Sequence, residues 1–190
     1  MVMRARFFLV LLSGALAACA SLPAPTVEPV SVPRQAIRAF SLDARLAITR
    51  GDERVTVGLA WEHEAGRDEI TLRSPIGQTL ATLFADSQGA RLEASQREPL
   101  EAPTLEALAE RALGMPLPFS ALPEWVLGRS VAPYAGERDA LGRWKHFQEA
   151  GWQVVLAEYQ SDAADALPRR IDLARGEVRV RMVLDQWMVR

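Results

Sequence analysis

The chain holds a single cysteine, Cys19, and its neighbours suggest what that sulfur does. It closes the run Leu16-Ala17-Ala18-Cys19, behind a basic start (Arg4, Arg6) and a predominantly apolar twelve-residue stretch from Phe7 to Ala18. That stretch is too short to cross a bilayer as a stable helix and has the layout of a secretory signal. Ala17 and Ala18 are small enough for a signal-peptidase cleft. An unpaired cysteine in an exported chain has no internal disulfide partner, so it needs another explanation. The run has the form of a bacterial lipobox, in which Cys19 becomes the first mature residue, N-acylated and bearing an S-diacylglycerol. An ordinary cleaved signal followed by a chance cysteine is the alternative. Once acylated, the sulfur is no longer a thiol and does neither redox chemistry nor metal binding.

Other reactive constellations are missing from the sequence. It has no Gly-x-Ser-x-Gly nucleophile elbow, no P-loop and no dinucleotide fingerprint. His63 and His146 fall at strand ends without partners at metal-ligand spacing, and read as surface or edge residues. Asp68-Glu69 and Glu62-Glu64 read as solvated faces. No catalytic residue, metal or cofactor is expected. Lys and Arg number 22 against 24 Asp and Glu, and losing Arg4 and Arg6 leaves 20 against 24, a mature charge of about −4. With no basic run, nucleic acid is not an expected partner.

The elements follow from residue patterns. Residues 1–18 read as the signal peptide, 19–38 as a lipidated tether and 39–190 as one domain. Pro23, Pro25, Pro29 and Pro33 give the leader an extended, semi-rigid composition, reaching roughly 50 Å at about 3.1 Å per residue; a leader with no mechanical role is the other reading. From Phe40 to Ile48 apolar and polar residues alternate, the mark of a half-buried antiparallel strand. Further strands are predicted over Val55–Trp61, around Ile70 and Leu72, and over 79–85 and 89–94. Their spacing and short turns indicate a meander curling toward a barrel or half-barrel. Thr104 is a predicted N-cap for a helix carrying Leu105, Leu108, Ala109, Ala112 and Leu113, stopped by Gly114. A rigid Met115-Pro116-Leu117-Pro118-Phe119 connector and a short helix around Leu122, Trp125 and Val126 come next. Residues 129–143 read as irregular. Two hairpins end the chain, turning at 149–151 and at Arg175-Gly176.

What stands out beyond these elements is apolar. A curved sheet closed over helices can enclose a small-ligand hollow, or fill it with side chains. Ser74-Pro75-Ile76-Gly77-Gln78 is a tight turn with an apolar residue at its tip, where polar residues are usual. Ile76 either folds back on the core or stands out as a contact for lipid or for another apolar group.

The order and spacing of these stretches resemble the LolB family of outer-membrane lipoprotein receptors. The resemblance rests on the lipobox, Phe40 to Ile48, Trp61, Ser74-Pro75-Ile76-Gly77-Gln78, Leu113-Gly114-Met115-Pro116-Leu117-Pro118 with Trp125-Val126-Leu127-Gly128, and Asp185-Gln186-Trp187-Met188-Val189. It implies a mainly β single domain: an open antiparallel half-barrel capped by helices, with an apolar cavity. It also implies a lipid-anchored, monomeric protein on the periplasmic side of the outer membrane. Its partners would be a LolA-like carrier, acylated lipoprotein cargo and outer-membrane lipid. Pro75, Ile76 and Gly77 would form the membrane-delivery loop. Leu46, Ile48, Leu59, Trp61, Leu72, Trp125, Trp144, Trp152, Leu156 and Met182 are the candidates for the acyl cavity. Rival readings are a tethered lipoprotein for another apolar ligand, and a structural envelope module with a filled core. Ala20 after Cys19, where Asp would favour inner-membrane retention, leans toward the outer membrane.

Overall fold

The structure, a computed structural model, describes residues 32–95, 97–114 and 117–190. Cys19, the signal and most of the proline-rich leader lie outside the described residues, as do Met115 and Pro116. Eleven strands make one antiparallel sheet: β1 Phe40–Arg50, β2 Glu53–Glu64, β3 Arg67–Arg73, β4 Thr79–Asp86, β5 Gly89–Ala94, β6 Leu100–Ala102, β7 Ala135–Arg138, β8 Trp144–Glu149, β9 Trp152–Tyr159, β10 Pro168–Arg175 and β11 Val178–Val189. Their order is β6-β5-β4-β3-β2-β1-β11-β10-β9-β8-β7. The first and last strands therefore meet mid-sheet, Phe40 opposite Val189 and Arg50 opposite Val178. Two meanders run outward from that seam. Their outer strands, β6 and β7, are not paired with each other, so the sheet is open.

Alternation decides which face is inside. Phe40, Leu42 and Ala44 of β1 are buried and continue in one core with Leu59 and Trp61 of β2 and with Val180, Met182 and Leu184 of β11. The link between β6 and β7 carries the helices, α1 Leu105–Leu113 and α2 Leu122–Val126. Thr104 caps α1 by accepting from the Ala107 N–H at 3.2 Å. Gly114 ends it with φ +69°, a left-handed turn that a side chain would strain. Leu105, Leu108 and Ala109 face the sheet.

Three short elements differ from the sequence reading. Leu100–Ala102 and Ala135–Arg138 are strands; the second lies inside the stretch read as irregular, and all four of its residues are exposed, so it has no alternation to detect. Residues 34–38, read as the end of the tether, belong to the body. Arg34–Ala36 form a 3₁₀ turn, Arg34 and Ile37 are buried, and Arg129 donates to both their carbonyls at 3.1 Å.

The sheet has two ends. One gathers the turns at 51–52, 74–78, 150–151 and 176–177, together with the end of α1, where Arg50 donates to the Leu113 carbonyl at 3.3 Å. The other holds Phe40, Glu64, Asp86 and Val189, and receives the N-terminal segment.

Candidate functional site

Between α1 and the half of the sheet below it lies an apolar hollow of about 430 Å³. This is within the range of small-ligand pockets. β1 and β2 contribute Leu46, Ile48, Val57, Leu59 and Trp61; β3 contributes Ile70 and Leu72. Leu83 and Leu92 come from β4 and β5, Leu108 and Ala112 from α1, and Leu173, Val180 and Met182 from the returning strands. Alanines at positions 81, 94, 109 and 112 also line it, and their small side chains leave the space unfilled. Leu117, Phe119 and Leu122 close the side toward α2.

The floor is buried, at Trp61, Ile70, Leu83 and Leu108. Exposed Leu80, Ser95, Arg97 and Leu113 mark the mouth. Leu80 reaches it through a bulge. Leu72 pairs with Ala81 but Arg73 with Thr79, which leaves Leu80 unpaired and lets both Leu80 and Ala81 line the same space.

The turn at 74–78 stands at the same end. The Gly77 N–H donates to the Ser74 carbonyl at 2.9 Å, and the Ser74 N–H donates to the Gln78 carbonyl at 2.8 Å. The Gln78 N–H donates to Ser74 Oγ at 3.2 Å. Gly77 takes φ +84°, a conformation that glycine adopts freely. The loop is thus closed on itself, and Ile76 is 81 % exposed rather than folded back.

Six of the sequence candidates border the hollow: Leu46, Ile48, Leu59, Trp61, Leu72 and Met182. Trp125, Trp144, Trp152 and Leu156 do not. They pack in the other half of the sheet around Phe147, with ring centroids 6.0 Å away for Trp125 and 5.4 Å for Trp144. There Trp125 donates to Glu149 Oε2 at 2.9 Å. Glu149 is buried and also accepts from Ser130 Oγ and from the backbone N–H groups of Ala132 and Val131. Burial alone would raise its pKa, but these hydrogen bonds outweigh it and hold the carboxyl below the usual range. Burial pushes the Tyr159 hydroxyl up to about 12, and that hydroxyl donates to the Trp144 carbonyl.

Two surface assignments need correction. His63 and Asp68 are half-buried and joined at 2.7 Å, and the same Asp68 oxygen accepts from the Trp61 indole at 2.7 Å. The His63 ring packs against Phe40 at 4.9 Å. This group fixes the tryptophan at the cavity floor. Among the described residues, no group of three or more His, Cys, Asp or Glu could hold a metal ion. No helix there is long and apolar enough to cross a membrane.

An open antiparallel sheet folded round a helix, with an apolar hollow and a protruding apolar loop, defines the class: a small open half-barrel with an apolar interior. Solved structures share the fold. A LolA superfamily protein from Nitrosomonas europaea matches with a TM-score of 0.51 at 6 % identity, over 82 % of this chain and 87 % of that one. The family model "Outer membrane lipoprotein LolB" matches residues 38–187. A protein named outer-membrane lipoprotein LolB from Azoarcus sp. (strain BH72) is 35 % identical over 96 % of both chains. One of the same name from Dechloromonas aromatica is 33 % identical over 97 % of this chain and 98 % of its own. The chain belongs to the LolB family.

Proposed function

We propose that this chain is an outer-membrane lipoprotein receptor, anchored through acylated Cys19. It takes acylated lipoproteins from a LolA-like periplasmic carrier and places them in the inner leaflet, without catalysis or nucleotide hydrolysis. The observation that carries this reading is the apolar hollow opening beside the Ile76 tip. A lipoprotein's acyl chains gain about 0.8 kcal/mol per buried methylene, so they cross water only when hidden. A hollow walled by leucine, isoleucine and valine offers such cover. Downhill transfer then requires only that the receptor bind better than the carrier and worse than the bilayer.

The test is reconstituted transfer from carrier to receptor to liposome. The wild-type chain should accept cargo and release it into vesicles. Ile76→Glu should keep its fold and accept cargo, with delivery slowed about tenfold or more, equivalent to ~1.4 kcal/mol. Delivery at the wild-type rate would remove the loop from the mechanism. Retention of some other apolar ligand, seen by mass spectrometry of the purified protein together with no cargo uptake, would replace the receptor reading.

A further inference from the structure

Arginines are sorted by position. Over the rest of the sheet many are paired: Arg45 with Asp185, Arg91 with Glu93, Arg143 with Asp139, Arg181 with Asp172, and Arg190 with Glu62 and Glu64; Arg38, Arg138 and Arg169 at the end opposite the mouth are exposed without such a partner among the described residues. At the mouth end, Arg50, Arg54, Arg73, Arg97, Arg175 and Arg179 are exposed, and none has a carboxylate within 4.0 Å among the described residues. The exposed carboxylates on the turns and strand ends there are Asp52, Glu53, Glu98 and Glu177; Glu149, at the end of β8, is buried and hydrogen-bonded inside, and Glu110 and Arg111 in the last turn of α1 cancel. The exposed surface of the mouth end is therefore net positive, six arginines against four carboxylates, on a chain whose overall charge is −2. Between these arginines stand exposed apolar side chains: Val55, Ile76, Leu80 and Leu113.

We propose that the mouth end is a docking surface for an anionic phospholipid leaflet. The arginines engage headgroup phosphates, and the apolar tips enter the layer beneath. This rests on the receptor reading and adds to it the lipid class and the orientation at docking. A basic residue near an anionic bilayer surface strengthens attachment about fivefold. The remaining, net-acidic surface is repelled by the same leaflet, so charge selects one pose. Nucleic acid or an acidic protein would satisfy the arginines but leave four large apolar side chains in water.

The length of chain outside the fold is compatible with this pose. The described chain begins at the end opposite the mouth, so an anchor at Cys19 in the same leaflet has to be linked across the length of the body. β1 has eleven residues, roughly 36 Å at about 3.3 Å each. The fifteen residues from Cys19 to Pro33 reach about 45 Å when extended.

The test uses the full lipidated chain. Gln78→Cys introduces the one free thiol, since Cys19 carries lipid, and takes a dye whose emission reports immersion in lipid. The protein is reconstituted in vesicles of phosphatidylcholine, with or without phosphatidylglycerol, at low and high salt. Anchorage is the same in all of them, so only the pose differs. The expected result is a blue shift with phosphatidylglycerol at low salt, lost at high salt and lost when Arg73→Glu and Arg97→Glu are combined. Arg190→Glu, at the far end, should leave it intact. Circular dichroism and apolar-dye binding verify that the variants remain folded. Equal shifts in both lipids, or a shift that survives the double charge reversal, would overturn the proposal. Cargo transfer in the same vesicles separates the two readings. Delivery by wild type without any charge-dependent shift sinks docking alone. A charge-dependent shift without cargo uptake sinks the receptor reading and leaves an anionic-leaflet contact.

Discussion

The two halves of the sheet share one fold but are filled differently. Under α1, strands β1 to β5 present mostly aliphatic and small side chains, with Trp61 on the floor, and a hollow of about 430 Å³ remains. Under α2, strands β8 and β9 meet Trp125, and Phe147, Trp152 and Val154 are fully or almost fully buried. The solid half is also fastened by polar groups. Glu149 gathers four donors, and Arg129 holds the N-terminal segment through two carbonyls and α2 through Glu124 at 2.8 Å. The difference shows that this cavity comes from withholding bulk. Both inner faces are mainly apolar, but Trp125, Trp144, Phe147 and Trp152 crowd one of them, while Trp61 and Phe119 only border the space in the other. A rigid half then supports a half with room for a guest.

The largest test of that contrast is a pair of truncations. Trp125→Ala removes a fully buried ring from packed surroundings and should cost about 3–5 kcal/mol in urea unfolding, the transfer cost plus a new cavity. Leu72→Ala enlarges a space that already exists and should cost about 1–2 kcal/mol, since only the transfer cost applies. Equal losses would mean that the two halves are packed alike.

A smaller effect is expected at Glu149. Glu149→Gln keeps the shape but replaces an ionised acceptor with an amide facing the same four donors, a loss of ~1–3 kcal/mol at neutral pH. Because the folded-state carboxyl titrates below its ordinary value, its stabilisation is present above the unfolded pKa of about 4.3. It is lost as pH falls through the folded value. Wild type should therefore lose stability more steeply than the variant on acidification below about pH 4.5. Parallel stability curves in that range would show that Glu149 is not ionised in the fold.

Particular residues show how far sequence reasoning reaches. Alternation located β1 and β2 because each has one wet and one dry face, and Thr104 and Gly114 bounded α1 because caps are local chemistry. The same periodicity could have added Val57, Ile70, Leu83 and Val180 to the cavity candidates, since they lie on the inner face with Leu59, Leu72 and Met182. Leu80 had no such signal, because its orientation depends on a bulge set by strand pairing. Trp144 and Trp152, on strands, lie away from the hollow for a related reason. A period of two says which face a side chain joins, but the width of the gap above that face depends on a helix distant in sequence. Arg34 and Ile37 followed prolines and looked like linker; their burial depends on Arg129, far along the chain.

The smallest expected change in stability comes from filling the hollow. Ala81 lines it from β4, beside the bulge at Leu80. In a packed core, Ala→Trp would force neighbours apart at about 1–3 kcal/mol. Here the indole has space to enter, and the apolar area it buries offsets residual crowding, so Ala81→Trp should shift unfolding by less than about 1 kcal/mol. Cargo acceptance should nevertheless fall sharply, because the new ring occupies the volume that an acyl chain needs. The opposite variant, Ala157→Trp on the outer face of β9, should leave acceptance unchanged. Stability and uptake thus separate only if the hollow half is a binding site. If Ala81→Trp accepts cargo as well as wild type, acyl chains lie elsewhere on the sheet; if it unfolds, the space is narrower than its walls indicate.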